Sequence, residues 1–315
     1  MIPVSQKLTI LVPAYQDAKA LANHSKSLGF LRDLNVRIVW VVSPSPDGTE
    51  VIARRIADSA GDLFCLSAKG LYQSWNFGIT KVNTPFFAIS SIGDTYINDG
   101  VLRMLDLLTR HGADICFSPP QAMTGSSSPS VMDWPVHRFR RRLGRFHCNI
   151  VPARLLVLLQ LQSGLDSLLG SWASIVGRSE TLRRNPFPLE YGHHGDTAWC
   201  FHSLPRLRFV FYDREVATFK FHSTSSLFTS LQLFKQYRIL GHQMLQMYAQ
   251  ITSQTPSFSY VWRKYFVFLH LLNKSRGKKP HRGWWFSWTN WKYRCLRDFF
   301  STCASFYFFF ARSSR

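Results

Sequence analysis

Three aspartates stand where a carboxylate can do chemistry. Asp94 closes the stretch Ser90-Ser91-Ile92-Gly93-Asp94, which follows an apolar run. A carboxylate at such a strand end can hold a hard divalent cation, Mn2+ or Mg2+, which in turn neutralises a diphosphate. The same residue ahead of a helix can also serve as a turn or N-cap residue. Asp196 lies in Tyr191-Gly192-His193-His194-Gly195-Asp196-Thr197, a polar loop leading into a helical segment. There it can act as general base toward an acceptor hydroxyl, or cap the helix. Asp47, in Asp47-Gly48-Thr49, reads most simply as a turn and a helix start. His193 and His194 are adjacent, so their side chains diverge and a loop role suits them better than one shared ion. His222 is a weaker candidate, for a phosphate contact. The chain has neither a GxGxxG nor a Walker lysine motif, so dinucleotide and P-loop readings lose support.

These residues need elements to place them. Short apolar runs at 8–15, 36–43, 63–67, 85–92 and 113–118 read as strands. Segments of helical period at 18–28, 49–58, 71–81 and 98–110 separate them. Strands alternating with helices predict a Rossmann-like α/β fold with a mostly parallel sheet and flanking helices. In an open sheet of this kind ligands bind in the crevice at the carboxyl ends of the strands. That places Pro13 and Tyr15, Ser43 and Asp47, Lys69, and Gly93 with Asp94 at the candidate binding edge. Beyond a Gly/Ser/Pro loop at 121–130 come five arginines within 137–145 and a leucine-rich helix at 153–161. Further strands are expected at 172–177, 207–212 and 215–222, then a helical pattern over 225–250.

Composition narrows the class. Hydrophobic residues make up 46% of the 315, enough for a large core and against wholesale disorder. The formal net charge of +20 implies an anionic partner: nucleic acid, a phospholipid surface or a phosphorylated substrate. The six cysteines form no CxxC pair and have no metal-ligand spacing, which suits a reducing, cytoplasmic setting. No signal peptide is expected at the N-terminus. No uncharged apolar run reaches the roughly 20 residues that a spanning helix needs.

Four short elements, taken in order over residues 8–120, resemble the family 2 glycosyltransferases of the GT-A fold. Leu11-Val12-Pro13-Ala14-Tyr15-Gln16 stands where that family has a strand ending in Pro-x-Tyr-Asn. Val41-Val42-Ser43-Pro44-Ser45-Pro46-Asp47-Gly48-Thr49 is similar to its acid and Ser-Thr-Asp-Gly-Thr turn. Gly70-Leu71-Tyr72-Gln73-Ser74-Trp75-Asn76-Phe77-Gly78-Ile79 matches a Gly-Ile-Tyr-Asp-Ala-Met-Asn-Lys-Gly-Ile element and adds Asn76 to the donor-binding candidates. Ser90-Ser91-Ile92-Gly93-Asp94 stands where a subgroup's last acid binds the metal. The resemblance implies an inverting, metal-dependent transfer of a hexose-type sugar from a nucleoside-diphosphate donor. It makes Asp94 the metal ligand and Asp196 the base, with Trp199 placed to stack on a sugar. Two positions depart from the pattern: Ser43 and Gln73 replace acids. They alter the expected uridine contact, and they leave a catalytically degenerate binding or scaffold protein as the alternative. The processive members' Gln-x-x-Arg-Trp motif is missing, which favours single additions.

The expected catalytic domain is 1–224, followed by a helical, basic and aromatic region at 225–315. Over residues 261–315 there are 12 Lys and Arg against a single acid, Asp298, and 17 aromatics. Trp284, Trp285, Trp288 and Trp291 resemble interfacial anchors, with cations for anionic headgroups. Packing against the domain and single-stranded nucleic acid are the competing readings, the latter disfavoured. A peripheral position at the inner face of the membrane would suit a glycan or lipid-linked acceptor in cell-surface polysaccharide or glycolipid assembly.

Overall fold

The computed structural model describes residues 7–97, 99–122, 134–146, 150–163 and 166–219. The expected C-terminal region at 225–315 lies outside the described residues, as do His222, Cys148, Cys295 and Cys303. Each early apolar run forms a strand: β1 (Leu8–Ala14), β2 (Arg37–Val42), β3 (Asp62–Cys65), β4 (Phe86–Ile89) and β5 (Ile115–Phe117). Between them run the helices α1 (Ala18–Ser27), α2 (Gly29–Asp33), α3 (Thr49–Ala60), α4 (Leu71–Lys81) and α5 (Gly100–Arg110). There follow β6 (Gln121–Ala122), α6 (Pro135–Arg138), α7 (Arg140–Leu143), β7 (Ile150–Val151) and α8 (Ala153–Ser163). The last described elements are β8 (Ile175–Arg178), α9 (Ser179–Arg184), α10 (Gly195–Ser203), β9 (Phe209–Phe211) and β10 (Thr218–Phe219).

The main sheet has eight strands in the order β3-β2-β1-β4-β8-β5-β9-β7. β1 to β4 are parallel, as expected. The rest of the sheet is mixed: β8 runs antiparallel to both β4 and β5, and β7 runs antiparallel to β9. β9 pairs parallel with β5, so six of the eight strands run in one direction and the sheet is mostly parallel as expected, with β8 and β7 reversed. In the chain, β6, α6, α7, β7 and α8 all stand between β5 and β8, too long a separation for periodicity to reveal them as neighbours. The expected strand at 172–177 is also shortened, because Trp172–Ser174 forms a 3-10 turn. β6 and β10 form a separate parallel pair.

Both faces of the sheet are covered, which explains why the strands read as continuous apolar runs. All seven residues of β1 are buried. Leu8, Ile10, Val12 and Ala14 join one core with Leu21 of α1, Leu28 just after it, Ala53 of α3 and Met104 and Leu108 of α5. Leu11 joins the other, with Tyr72, Trp75 and Ile79 of α4, Leu155 and Leu159 of α8 and Trp199 of α10. At about 1.5–3 kcal/mol for each large aliphatic side chain removed from water, these two layers hold the sheet between helices and leave its carboxyl edge to the loops.

Candidate functional site at the carboxyl edge of the sheet

Chain order runs outward from β1 to β2 to β3, then returns to place β4 on the other side of β1. The carboxyl ends of β1 and β4 therefore flank a switch point, where open sheets bind ligands. Pro13 helps to open it. Leu11 accepts a hydrogen bond from the Ser90 amide on the β4 side, and Pro13, two residues on, presents its backbone the same way. Pro13 has no N–H to extend the ladder, and the pairing of β1 with β4 ends at Leu11 and Ile89. Pro13 itself is a buried strand residue opposite Val41 of β2.

Asp94 sits in the loop that leaves β4 there, and it is 3% exposed. Its amide donates to the Ser91 carbonyl at 2.9 Å, closing a tight turn. Gly93 lies within that turn at φ 98°, a left-handed conformation that favours glycine. The turn reading of Asp94 is thus correct for its backbone. The N-cap reading is not: α5 begins only at Gly100, behind Asp99. Across the loop, Thr95 and Thr218 exchange hydrogen bonds, including Thr218 amide to Thr95 carbonyl at 2.8 Å. The start of β10 therefore backs the loop. Tyr96 is buried beside Asp94, and burial, then the neighbouring carboxylate, pushes its hydroxyl well above the usual tyrosine range.

Behind Asp94 lies a residue that the sequence alone does not single out. His24 of α1 is 3% exposed. Its Nδ1 accepts from the Gly93 amide at 3.3 Å, and its Nε2 meets Ser90 Oγ at 3.2 Å. Ser90 Oγ in turn donates to the Asp94 carbonyl at 3.0 Å. Burial lowers the imidazole pKa to about 4, so the ring is neutral. The available signal is spacing, since His24 falls in the buried stripe of Leu21 and His24 of α1 and Leu28 just beyond its end.

Asp47 holds the first two loops together. Its Oδ1 accepts from Ser45 Oγ at 2.5 Å, Thr49 Oγ1 at 2.6 Å and the Thr49 amide at 3.1 Å. Its Oδ2 accepts from the Ala18 amide at 3.1 Å. The slight burial of this carboxyl is outweighed by these bonds, which hold it well below the usual carboxylate range. Two further links, the Gln16 amide to Ser45 Oγ and the Asp17 amide to Thr49 Oγ1, complete the knot. Tyr15 lies part-buried in it, its amide turned to Asp17 Oδ2. Ser43, 1% exposed at the end of β2, shares a 3.0 Å hydroxyl contact with Ser74 of α4. Lys69 is exposed in the loop between β3 and α4. Asn76 faces elsewhere: its amide nitrogen donates to the Phe187 carbonyl at 2.8 Å, and its oxygen accepts from the Phe187 amide at 2.9 Å.

Asp196 reaches this edge through α4. It lies in the first turn of α10, one residue inside the helix, and accepts from the Thr197 amide at 2.7 Å. The Tyr72 hydroxyl, near the start of α4, also hydrogen-bonds its carboxylate. Burial dominates and pushes the Asp196 carboxyl up to about 6, against the lowering by these hydrogen bonds. A carboxyl of this kind is poised for proton transfer near neutrality. Close packing sets the pair, because a Cβ at Gly195 would lie 2.5 Å from the Tyr72 ring. The expected sugar-stacking role of Trp199 is overturned. Trp199 is 1% exposed, bonded through Nε1 to the Asn185 carbonyl at 2.6 Å and packed edge-on against Trp172.

Among the described residues no group of three His, Cys, Asp or Glu converges. A cation at Asp94 would accordingly take one protein carboxylate, with its other positions left to the diphosphate and water. That suits Mg2+ or Mn2+, which keep several non-protein ligands. Cys65, Cys116 and Cys200 are thiols. No helix among the described residues is long and apolar enough to cross a membrane.

A family model described as "Glycosyl transferase family 2" matches residues 9–151, from β1 through β7. No curated protein sequence matches the chain. Among solved structures, S. aureus TarS superposes with a TM-score of 0.55 at 15% identity, covering 76% of this chain and 40% of TarS. S. aureus TarS 1-349 in complex with UDP-GlcNAc gives 0.55 at 15% identity, covering 76% of this chain and 66% of the other. The same protein in complex with UDP gives 0.55 at 14% identity, with 65% of its length covered. The chain thus spans less than two thirds of the length of these relatives. The likeness is one of fold, and the fold is of the GT-A type.

Proposed function

We propose, from the match of residues 9–151 to glycosyl transferase family 2, that this protein moves a sugar from a nucleoside-diphosphate donor to a hydroxyl acceptor with inversion. The observation that carries the reading is Asp94, a buried carboxylate on a positive-φ glycine turn at the switch point of the sheet. The TarS structures with UDP and UDP-GlcNAc make a uridine diphosphate sugar the first donor to try. A divalent cation held by Asp94 would neutralise charge on the leaving diphosphate. The chain's own residues do the rest. The loop knot around Asp47 and the hydroxyl pair Ser43–Ser74 shape the nucleotide side of the crevice, flanked by the exposed Lys69. Asp196, ionised above about pH 6, takes the proton of the acceptor hydroxyl as that oxygen attacks the anomeric carbon opposite the diphosphate. The acceptor is a glycan or lipid-linked glycan, delivered at a membrane surface that the region 225–315 contacts.

Incubation with a panel of nucleotide sugars plus Mn2+ or Mg2+ should release diphosphate with one of them. Asp94→Asn should lower that release by at least about a hundredfold while the melting temperature stays near that of the parent. Full activity in Asp94→Asn would sink the metal assignment. Ser43 and Gln73 favour a second reading, a binding protein without turnover, since both replace acids of the family pattern and Ser43 is occupied by Ser74. Nucleotide-sugar binding with no diphosphate released from any donor would select it.

A further inference from the structure

His24 is buried at a position where helix α1 asks only for an apolar side chain. Its neighbours on the same stripe, Leu21 and Leu28, are both 0% exposed. A leucine there would avoid the cost of desolvating an imidazole. The ring supplies what leucine lacks, an acceptor and a donor aimed at one loop. Because the Gly93 amide donates to Nδ1, the imidazole proton must sit on Nε2. Nε2–H then donates to Ser90 Oγ, and the Ser90 hydroxyl donates in turn to the Asp94 carbonyl. This chain of contacts has no step through solvent-exposed groups. It ties a helix on one face of the sheet to the main chain on both sides of the Asp94 Cα: the Gly93 amide before it and the Asp94 carbonyl after it.

We infer that His24 is the positioning residue of the candidate metal site: through Gly93 and Ser90 it fixes the turn so that the Asp94 carboxylate is presented to a divalent cation and its diphosphate. The inference rests on the metal-assisted reading above. It assigns His24 no contact with the cation. Its effect falls on metal affinity rather than on nucleotide recognition, because neither Ser90 nor Gly93 belongs to the loop knot on the far side of β1.

The full chain, His24→Leu, His24→Asn and Ser90→Ala should be compared. Free Mn2+ is followed by electron paramagnetic resonance in the presence of uridine, guanosine or thymidine diphosphate, and metal-free nucleotide binding by calorimetry. In the parent, Mn2+ should bind with at least one of these diphosphates. His24→Leu and Ser90→Ala should weaken that binding by about 10- to 100-fold and leave metal-free nucleotide affinity unchanged. His24→Asn, whose amide can both accept from Gly93 and donate to Ser90, should recover most of the loss. Parent-like Mn2+ affinity in Ser90→Ala, or in a folded His24→Leu, overturns the inference while leaving the metal reading intact. So does a His24→Asn variant as weak as His24→Leu, which would make His24 a packing residue. If the parent itself binds no Mn2+ with any of the three diphosphates, the metal reading fails and this inference falls with it.

Discussion

The ionisation of Asp196 makes the proposed base testable by pH alone. Its carboxyl is raised from an ordinary 3.8 to about 6, first by burial. Activity should therefore fall as pH drops through about 6, with a single-proton slope in kcat/KM against pH. Tyr72 donates to the carboxylate and so favours the ionised form. Tyr72→Phe should move that limb to higher pH, and an unmoved limb would detach Tyr72 from the base. Stability follows the opposite course. A carboxyl whose folded pKa lies above its unfolded value disfavours the folded state increasingly as pH rises from about 4 to 6, and fully above that. Asp196→Asn removes the charge, so its melting temperature should gain on the parent's as pH is raised from 4 to 7. A constant difference between the two would mean that the carboxyl titrates normally.

At the scale of elements, α4 ties the site together. Its first turn meets Ser43 through Ser74 and Asp196 through Tyr72, and its middle meets Phe187 through Asn76. Asn76→Ala leaves the backbone amide and carbonyl of Phe187 without their partners. Urea unfolding should show a loss of about 1–3 kcal/mol. These ties also mark how far the sequence can be read. α4 is legible to the residue, since Tyr72, Trp75 and Ile79 recur at helical spacing and Gly70 precedes them. Strands β1 to β5 are legible because a sheet covered on both faces demands continuous apolar runs. Asp94 and Asp196 are legible as strand-end and loop acids. Asn76 and Trp199 take their expected roles from position in a motif, and a motif does not say which way a helical side chain points. His24 and Tyr72 are hidden because their partners, Gly93 and Asp196, belong to distant stretches of chain that local periodicity cannot connect to them. β8 is expected as a strand, but its place between β4 and β5 is hidden for the same reason.

For the molecule as a whole, the excess of basic residues is concentrated beyond the described elements, over 261–315. The full chain should cosediment with vesicles rich in anionic lipid at low salt, and release should follow as ionic strength rises past the point where the Debye length falls below about 8 Å. Binding to neutral vesicles alone, or to single-stranded nucleic acid with no affinity for anionic vesicles, would refute the membrane contact. The antiparallel strand β8 has a consequence for how the chain comes into being. Only α5 and its loops separate β4 from β5 in the chain, yet the two strands never touch as partners; each waits for Ile175–Arg178 to slide between them. A ribosome that has released the chain only as far as Val151 has therefore exposed one edge of β4 and both edges of β5 with nothing to close them, the geometry that invites intermolecular pairing. The stretch matched to the family thus does not complete its own sheet. Expressed alone it should be insoluble, and during synthesis β5 stays apart from the β1–β4 half until β8 emerges to join them, with β9 completing the far edge of β5 later still.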